Sequence, residues 1–215
     1  AGEGATGTLR LAYRPPLEAH ALLACFAKRQ LAGVEWAQAD GAAPGLHRTV
    51  RLTVHEAAGS RVLTGWVQAQ FDLPRHQVLL QTSDSLYPAL PAVIRRVRGL
   101  LDLDADPGAI NAVLHGDFPH GDGLRVPGAW DGLELAVRAV LGQQITVAAA
   151  RTLGQRLVER FGEPIDTPWP ELQRLFPAAA VLARAEGDAL GQLGIVRQRQ
   201  AAIVALARAV DEGRL

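Results

Sequence analysis

Residues 130–161 constrain the fold more than any other stretch, because they predict two amphipathic helices joined by a very short corner. In the first helix Asp131, Glu134 and Arg138 are expected on the outer face, opposite an apolar stripe. That stripe consists of Trp130, Leu133, Val137, Val140 and Leu141. The chain is expected to stay helical beyond the pair, with short helices over Glu171–Phe176 and Asp188–Leu193 and a last helix from Arg197.

The corner between the two helices is Gly142-Gln143-Gln144. Gly142 is expected to end the first helix in a left-handed conformation, and Thr146 is expected to cap the second. Glutamine is an unusual choice at a tight corner, where Asn, Asp, Ser or Gly usually stand. On the residues alone, a solvated turn and a functional corner both stay open as interpretations.

The composition is that of a globular protein, since 48% of the 215 residues are hydrophobic. The 22 basic and 22 acidic residues cancel, so any surface for nucleic acid must be local. Cys25 is the only cysteine, which excludes an internal disulfide and is compatible with a reducing compartment. No apolar run is long enough for a membrane span and no leader pattern opens the chain, so a cytoplasmic protein is expected.

The first half of the chain predicts an antiparallel sheet with two helices. A short strand is expected at Thr8–Tyr13, and three more at His47–His55, Arg61–Phe71 and Gln77–Thr82. One helix follows the first strand and a second is expected over Leu86–Leu101. The apolar stripe of the earlier helix is Leu22, Leu23, Phe26 and Leu31. This order of elements indicates an α+β fold.

This α+β domain is expected to span residues 1–103, followed by a connection over 104–127 and a helical domain over 128–215. Within the connection, Asp106 and Pro107 predict the start of a short helix. The next loop carries four side chains that could ligate a metal but match no defined spacing, His115, Asp117, His120 and Asp122. No metal is therefore expected.

Most catalytic chemistry is excluded by pattern. No serine lies in a nucleophile elbow, and the chain has neither a phosphate-binding Gly-rich loop with a following lysine nor a dinucleotide fingerprint. Lys28, the only lysine, is too isolated to nominate as a Schiff-base amine. The pattern alone predicts a two-part globular protein without a visible active site, and no cofactor is expected.

Four segments, in order, carry a resemblance to a known family. The sequence RVPGAWDGLELAVRAVLGQQITVAAA, residues 125–150, closely resembles the core segment of the bacterial 3-methyladenine DNA glycosylase II family, within the helix-hairpin-helix DNA glycosylase superfamily. Leu9–Pro16, Leu100–Pro107 and Leu193–Ala209 are similar to its first strand, its interdomain segment and the helix that leads toward its hairpin. The resemblance implies a TATA-binding-protein-like α+β domain followed by an incomplete all-α helix-hairpin-helix glycosylase domain.

The resemblance also implies an activity and a set of site residues. The family excises alkylated bases from double-stranded DNA by flipping the nucleotide into an aromatic cleft, without metal or organic cofactor. Gly142, Gln143 and Gln144 match the corner that contacts DNA, with Gln144 as the side chain inserted into the gap left by the flipped nucleotide. Cys25, Phe26 and Trp130 are candidates for lining the base cleft, although core packing is the alternative for Trp130.

One departure from the family bears on mechanism. The hairpin and the catalytic aspartate of the family follow the segment that matches Arg197–Val210, so the catalytic residue is expected beyond Leu215 and these 215 residues are expected to be inactive alone. A monomer is expected. Some relatives are fused to an alkylation-response regulator, so a regulator domain upstream of this chain is a further expectation. The alternatives are a non-catalytic DNA-binding or regulatory module of the same fold, and an oxidised-guanine glycosylase with a lysine nucleophile.

Overall fold

The protein contains one five-stranded antiparallel sheet in the part of the chain that the structure describes. The computed structural model describes residues 7–41, 43–56, 59–185 and 188–215. The strands are β1 (Leu9–Ala12), β2 (Glu35–Gln38), β3 (Gly45–Glu56), β4 (Gly59–Asp72) and β5 (Gln77–Thr82). Their spatial order is β1-β5-β4-β3-β2, with every neighbouring pair antiparallel. The antiparallel sheet is as predicted, but the sequence pattern does not predict β2, which is only four residues long.

Seven α-helices accompany the sheet within the described ranges. They are α1 (Ala19–Arg29), α2 (Leu90–Leu100), α3 (Pro107–Leu114), α4 (Gly132–Gly142), α5 (Val147–Phe161), α6 (Ala179–Ala183) and α7 (Arg197–Asp211). The predicted helix over Leu86–Leu101 begins later than expected, because Asp84–Ala89 is a 3-10 helix that contains Pro88. Proline has no N–H to donate, which disfavours an α-helix through that position.

Helices α1 and α2 cover one face of the sheet, as the α+β prediction requires. Their apolar side chains join the inward-facing side chains of the strands in a single core. Leu23 and Val93 of the two helices, with Val78 and Leu80 of β5, are fully buried there. Burial of this apolar surface is the main stabilising contribution to the domain.

The opposite face of the sheet is covered near β2 and β3 by residues 162–176. A helix over Glu171–Phe176 was expected, and that prediction is wrong. Pro164 and Arg174 form an antiparallel bridge, and the Arg174 N–H donates to the carbonyl of Gly33 at 2.9 Å. The chain is extended here because its backbone pairs with itself and with the loop before β2 instead of forming helical hydrogen bonds.

Aromatic rings make the contact between this segment and the sheet. The His47 ring stacks on Trp36 at 4.9 Å between centroids, and Trp169 meets both His47 and Trp66 edge-on at 4.8 and 4.9 Å. Burial lowers the pKa of His47, so this imidazole is held neutral. The sheet is thus a packed layer on both sides at this edge.

Helices α4 to α7 form a second core. Val137 and Leu141 of α4 pack with Leu157 of α5, Ile203 and Ala207 of α7, and all five are buried. The apolar stripes predicted for the helix pair and for the last helix therefore meet each other. The predicted division at residues 103 and 127 stays a prediction.

Helix α3 begins as predicted. The Asp106 carboxylate accepts a hydrogen bond from the Ala109 N–H at 3.1 Å, and Pro107 is the first helical residue. In the following loop, His115 Nδ1 lies 2.9 Å from an Asp122 carboxylate oxygen. Among the described residues no three His, Cys, Asp or Glu side chains are grouped so that they could hold a metal ion. No helix in the described ranges is both long and apolar enough to cross a bilayer.

Candidate functional site

The corner between α4 and α5 is an exposed turn whose left-handed residue is a glutamine. Helix α4 ends at Gly142, Gln143 is extended, and Gln144 has a φ of +56°. The expectation that Gly142 supplies the left-handed conformation is therefore wrong. Gly142 remains helical and turns toward α5, where an added Cβ would lie 3.8 Å from Ala150. The turn follows two residues later, and the side chains of Gln143 and Gln144 are both exposed.

Few hydrogen bonds hold this corner. The Gln143 N–H reaches the Val140 carbonyl at 3.4 Å, and the Ile145 N–H reaches the Gly142 carbonyl at 3.5 Å. Both distances exceed the usual range for an N–H donor. Thr146 caps α5 as predicted, accepting from the Ala149 N–H at 3.1 Å. The Gln143 carbonyl accepts a hydrogen bond from Arg199 of α7.

A cavity of about 500 Å³ opens beside the corner, between α1, α4 and α5. Its lining includes Cys25, Phe26, Trp130 and Gly142, so four of the six predicted site residues share one cavity. The remaining two, Gln143 and Gln144, follow Gly142 directly in the chain. The volume falls within the range of small-molecule sites, about 300–1,000 Å³.

Cys25 and Phe26 approach the cavity from the last turns of α1. The Arg29 guanidinium donates to the Cys25 carbonyl at 3.3 Å and lies 2.9 Å from its sulfur. The Phe26 side chain is buried and belongs to the core of the sheet as well as to the cavity wall. Arg138 of α4 donates to the Arg29 carbonyl at 3.1 Å, which joins this end of α1 to α4.

Trp130 lies deeper than the other candidates. The residue is only 4% exposed, and its indole N–H donates to the Arg51 carbonyl at 3.2 Å. The guanidinium groups of Arg48 and Arg96 lie over its ring at 5.8 and 5.7 Å from the centroid. The residue both packs in the core of the sheet and lines the cavity. Whether the ring contacts a base stays a prediction.

Three buried side chains, Glu35, Arg48 and Glu134, and the half-buried Arg138 form a network that we call the α4 charge cluster. Arg48 lies 2.7 Å from Glu134, and its second nitrogen is 3.6 Å from Glu35. Arg138 bridges the same carboxylates, at 2.5 Å from Glu35 and 2.8 Å from Glu134. The cluster joins β2 and β3 to α4 and forms part of the cavity wall.

The placement of Glu134 contradicts its prediction. The helical pattern puts Glu134 on the outer face, yet Glu134 is only 5% exposed. Burial opposes ionisation, but Arg48 and Arg138 outweigh it and lower the pKa of Glu134. The Arg138 guanidinium is likewise desolvated, and Glu35 and Glu134 raise its pKa above the ordinary value. Glu134 and Arg138 are therefore charged. Ion pairs with Arg48 and Arg138 occupy both carboxylates, so neither carboxylate is free to act on a ligand in the cavity.

Sequence reasoning missed Glu35, Arg48 and Arg199. A signal for Arg48 exists in β3, where it has the same parity as Val50 and Leu52 and must share their buried face. A charged side chain on a buried face requires a partner. Glu134 and Arg138 are spaced i, i+4 and could have been recognised as a pair. No comparable signal marks Arg199.

Two family matches cover most of the chain. Residues 8–131 match the family described as AlkA N-terminal domain. Residues 137–213 match the family described as HhH-GPD superfamily base excision DNA repair protein. The chain belongs to the AlkA family within the HhH-GPD superfamily. The resemblance found in the sequence is confirmed, and so is the order of an α+β domain before a helical one.

Curated relatives agree with this assignment. Over 151 residues the chain is 36% identical to DNA-3-methyladenine glycosylase 2 of Escherichia coli (strain K12), covering 70% of this chain and 53% of the relative. Over 219 residues it is 32% identical to the "Probable bifunctional transcriptional activator/DNA repair enzyme AlkA" of Mycobacterium tuberculosis (strain CDC 1551 / Oshkosh), covering 98% of this chain and 40% of the relative. The chain thus spans about half the length, or less, of these relatives.

Solved structures share the fold. A 3-methyladenine DNA-glycosylase from Archaeoglobus fulgidus superposes with a TM-score of 0.68 at 18% identity, over 94% of this chain and 66% of that one. An 8-oxoguanine glycosylase/lyase of Clostridium acetobutylicum in complex with double-stranded DNA reaches 0.52 at 14% identity, over 76% of this chain and 56% of that one. At these identities the likeness shows the fold alone.

Proposed function

We propose that the protein containing this chain is a base-excision repair glycosylase that removes alkylated bases of the 3-methyladenine class from double-stranded DNA. The observation that carries the proposal is the cavity beside the corner, which brings Cys25, Phe26 and Trp130 next to Gly142 in a chain of this family. The name of the Escherichia coli relative supports the choice of substrate.

In the proposed reaction, the damaged nucleotide leaves the duplex and its base enters the cavity, while Gln144 fills the gap in the stack. The Gln144 side chain is exposed and makes no hydrogen bond that the structure describes, so it is free to insert. Its amide can both fill space and hydrogen-bond to the orphaned base. An alkylated purine is cationic, which favours stacking on aromatic rings and makes the base a better leaving group.

The chemical step is assigned to no residue of this chain. Glu35 and Glu134, the carboxylates in the cavity wall, are both occupied by arginines. We propose that an aspartate beyond Leu215 assists hydrolysis of the N-glycosidic bond, that no cofactor takes part, and that the enzyme makes no covalent intermediate. The same proposal includes a cytoplasmic monomer and an upstream regulator domain. The name of the Mycobacterium tuberculosis relative, which combines a transcriptional activator with a DNA repair enzyme, supports the second part.

The test compares the full-length protein with the 215-residue chain on alkylated duplex DNA. We expect the full-length protein to release 3-methyladenine and the 215-residue chain to release none. Robust release by the 215-residue chain would contradict the assignment of catalysis to a residue beyond Leu215. A full-length protein that binds DNA but releases no base would favour the non-catalytic module, and trapping by borohydride would indicate a lysine nucleophile instead.

A second test addresses the corner. In the full-length protein, Gln144→Ala should weaken binding to DNA with an abasic-site analogue by more than it changes the free energy of unfolding. Truncating an exposed side chain costs the fold little, usually within about 0.5 kcal/mol. Equal affinity of the variant and the natural protein would return Gln144 to the role of a turn residue.

A further inference from the structure

The corner adopts a conformation that its own residues do not favour. A left-handed φ is unfavourable for any residue with a Cβ, and here it falls on Gln144. Such a conformation persists where the surroundings hold it. The two backbone hydrogen bonds within the corner are long, at 3.4 and 3.5 Å, and the side chains of Gln143 and Gln144 are exposed. The restraint must therefore come from elsewhere.

Arg199, in the first turn of α7, supplies a contact from outside the corner. Its guanidinium donates to the Gln143 carbonyl, 56 residues away in the chain. This carbonyl belongs to the peptide unit that precedes Gln144. A hydrogen bond that fixes the direction of the carbonyl therefore restrains the backbone on the N-terminal side of Gln144. A hydrogen bond from a charged donor is stronger than one between neutral groups.

The turn that carries Arg199 is itself anchored. Gln200 donates from its side-chain amide to the Ile195 carbonyl at 2.6 Å. Arg156 of α5 donates to the Leu193 carbonyl at 3.0 Å. Arg199 reaches from α7 to the start of the corner, while Arg156 reaches from α5 back to the residues before α7. The first contact joins α7 to the corner, and the second joins α5 to the segment that leads into α7.

We infer that Arg199 is a positioning residue that holds the Gln143 carbonyl and thereby presents the Gln144 side chain toward DNA. The inference rests on the proposed function of Gln144. Arg199 then acts through Gln144 and not through a phosphate of its own. Loss of the guanidinium should loosen the corner, so that Gln144 must be ordered when DNA binds.

Arg197 is the matched control. It lies in the same first turn of α7, carries the same charge, is exposed and makes no hydrogen bond that the structure describes. A general loss of attraction to DNA should appear in Arg197→Ala as much as in Arg199→Ala. A loss of positioning should appear in Arg199→Ala alone.

The experiment measures binding of full-length variants to duplex DNA with an abasic-site analogue between roughly 50 and 200 mM salt. Arg199→Ala should lower the affinity about ten-fold, as expected for one charged hydrogen bond, with an unchanged salt slope. Arg197→Ala should bind nearly as the natural protein does. In a Gln144→Ala background, Arg199→Ala should have no further effect, because the two residues act as one unit.

Two results of the double-variant and salt measurements would overturn the inference. One is an effect of Arg199→Ala that adds fully to that of Gln144→Ala, and the other is a salt slope that falls by about one, the signature of a lost phosphate contact. Hydrogen exchange without DNA provides an independent readout, since amides 143–145 should exchange faster in Arg199→Ala and not in Arg197→Ala. Unchanged exchange would also refute the inference.

Failure of the positioning role can be told apart from failure of the proposed function. The positioning role alone fails if the natural protein releases 3-methyladenine and Gln144→Ala weakens binding, but Arg199→Ala does not. If no base is released and Gln144→Ala binds normally, the proposed function fails first.

Discussion

The two ends of helix α4 are held in different ways. In its first two turns, Glu134 and Arg138 belong to the α4 charge cluster, and Asp131 caps the helix by accepting from the Glu134 N–H at 3.0 Å. At its end, the corner relies on two long backbone hydrogen bonds and on Arg199. One helix thus connects a rigid junction with the sheet to an exposed turn.

This difference suits the proposed insertion of Gln144 into DNA. The start determines where α4 lies relative to the sheet and to the cavity, because buried ion pairs tolerate little displacement. Beyond the end, Gln143 and Gln144 are exposed, so these side chains can contact a large partner. Rigid elements with a functional turn between them are a common way to position a site.

The largest effect is expected from Arg48→Ala, which removes the guanidinium of β3 from the α4 charge cluster. Arg48 is 3% exposed and contacts both Glu35 and Glu134, so its loss leaves two buried carboxylates with one partner. Breaking a buried pair in this way costs about 3–5 kcal/mol. Urea unfolding provides the measurement. Arg184→Ala, which removes a guanidinium 79% exposed and 4.0 Å from Asp211, is the control and should cost less than about 1 kcal/mol.

Acid should destabilise the packing of α4 against the sheet, because it protonates Glu134. The loss should be smaller than that of Arg48→Ala, because a neutral Glu134 carboxyl can still accept a hydrogen bond. The folded protein holds the pKa of Glu134 below the ordinary value of 4.5, so the unfolded chain takes up the proton first. The stability that this group contributes is fully present above about pH 4.5 and is lost as the pH falls through its lowered pKa. Glu134→Gln should flatten the pH dependence of the unfolding free energy below pH 4.5, and an unchanged dependence would contradict the charged state of Glu134.

A smaller effect is expected where the chain enters α4. An added Cβ at Gly128 would lie 2.3 Å from the Gly99 carbonyl oxygen, which is backbone and cannot turn away. Gly128→Ala should therefore destabilise the fold by about 1–3 kcal/mol in urea unfolding. Gly132→Ala is the matched control, because a Cβ there meets nothing within 4 Å. The control should be neutral or stabilising by up to about 1 kcal/mol, and equal losses in both variants would refute the steric argument.

The smallest effect is expected at the corner. Thr146→Ala removes the cap of α5, an exposed hydrogen bond of 3.1 Å, and should cost about 1 kcal/mol in thermal or urea unfolding. Thr146→Ser keeps the accepting oxygen and should retain most of that stability. A loss as large as that of Arg48→Ala would mean that the corner is held as firmly as the α4 charge cluster holds α4 to the sheet.

Local signals in the sequence were reliable where a side chain contacts its own neighbourhood. The caps at Asp106 and Thr146 form as predicted, because each requires only a side-chain oxygen and an N–H three residues later. The stripe of α4 at Val137 and Leu141 is buried as its spacing predicts. The location of the corner follows from the same pattern.

Predictions failed where partners distant in the chain decided the outcome. Residues 171–176 do not form a helix, because Gly33, far earlier in the chain, pairs with Arg174. The left-handed residue is Gln144 and not Gly142, since α4 continues through its glycine where it approaches α5. A propensity describes a residue alone and carries no information about such contacts.

Glu134 marks the boundary between what the sequence determined and what only the tertiary structure decided. The sequence by itself determined that α4 and α5 are amphipathic helices meeting at a glutamine corner, because helical spacing and capping are local properties. That a glutamate of α4 would be buried depended on Arg48, 86 residues earlier in the chain. Desolvating a charge is tolerable only where an opposite charge meets it, and that meeting exists only after the sheet and the helix have packed together.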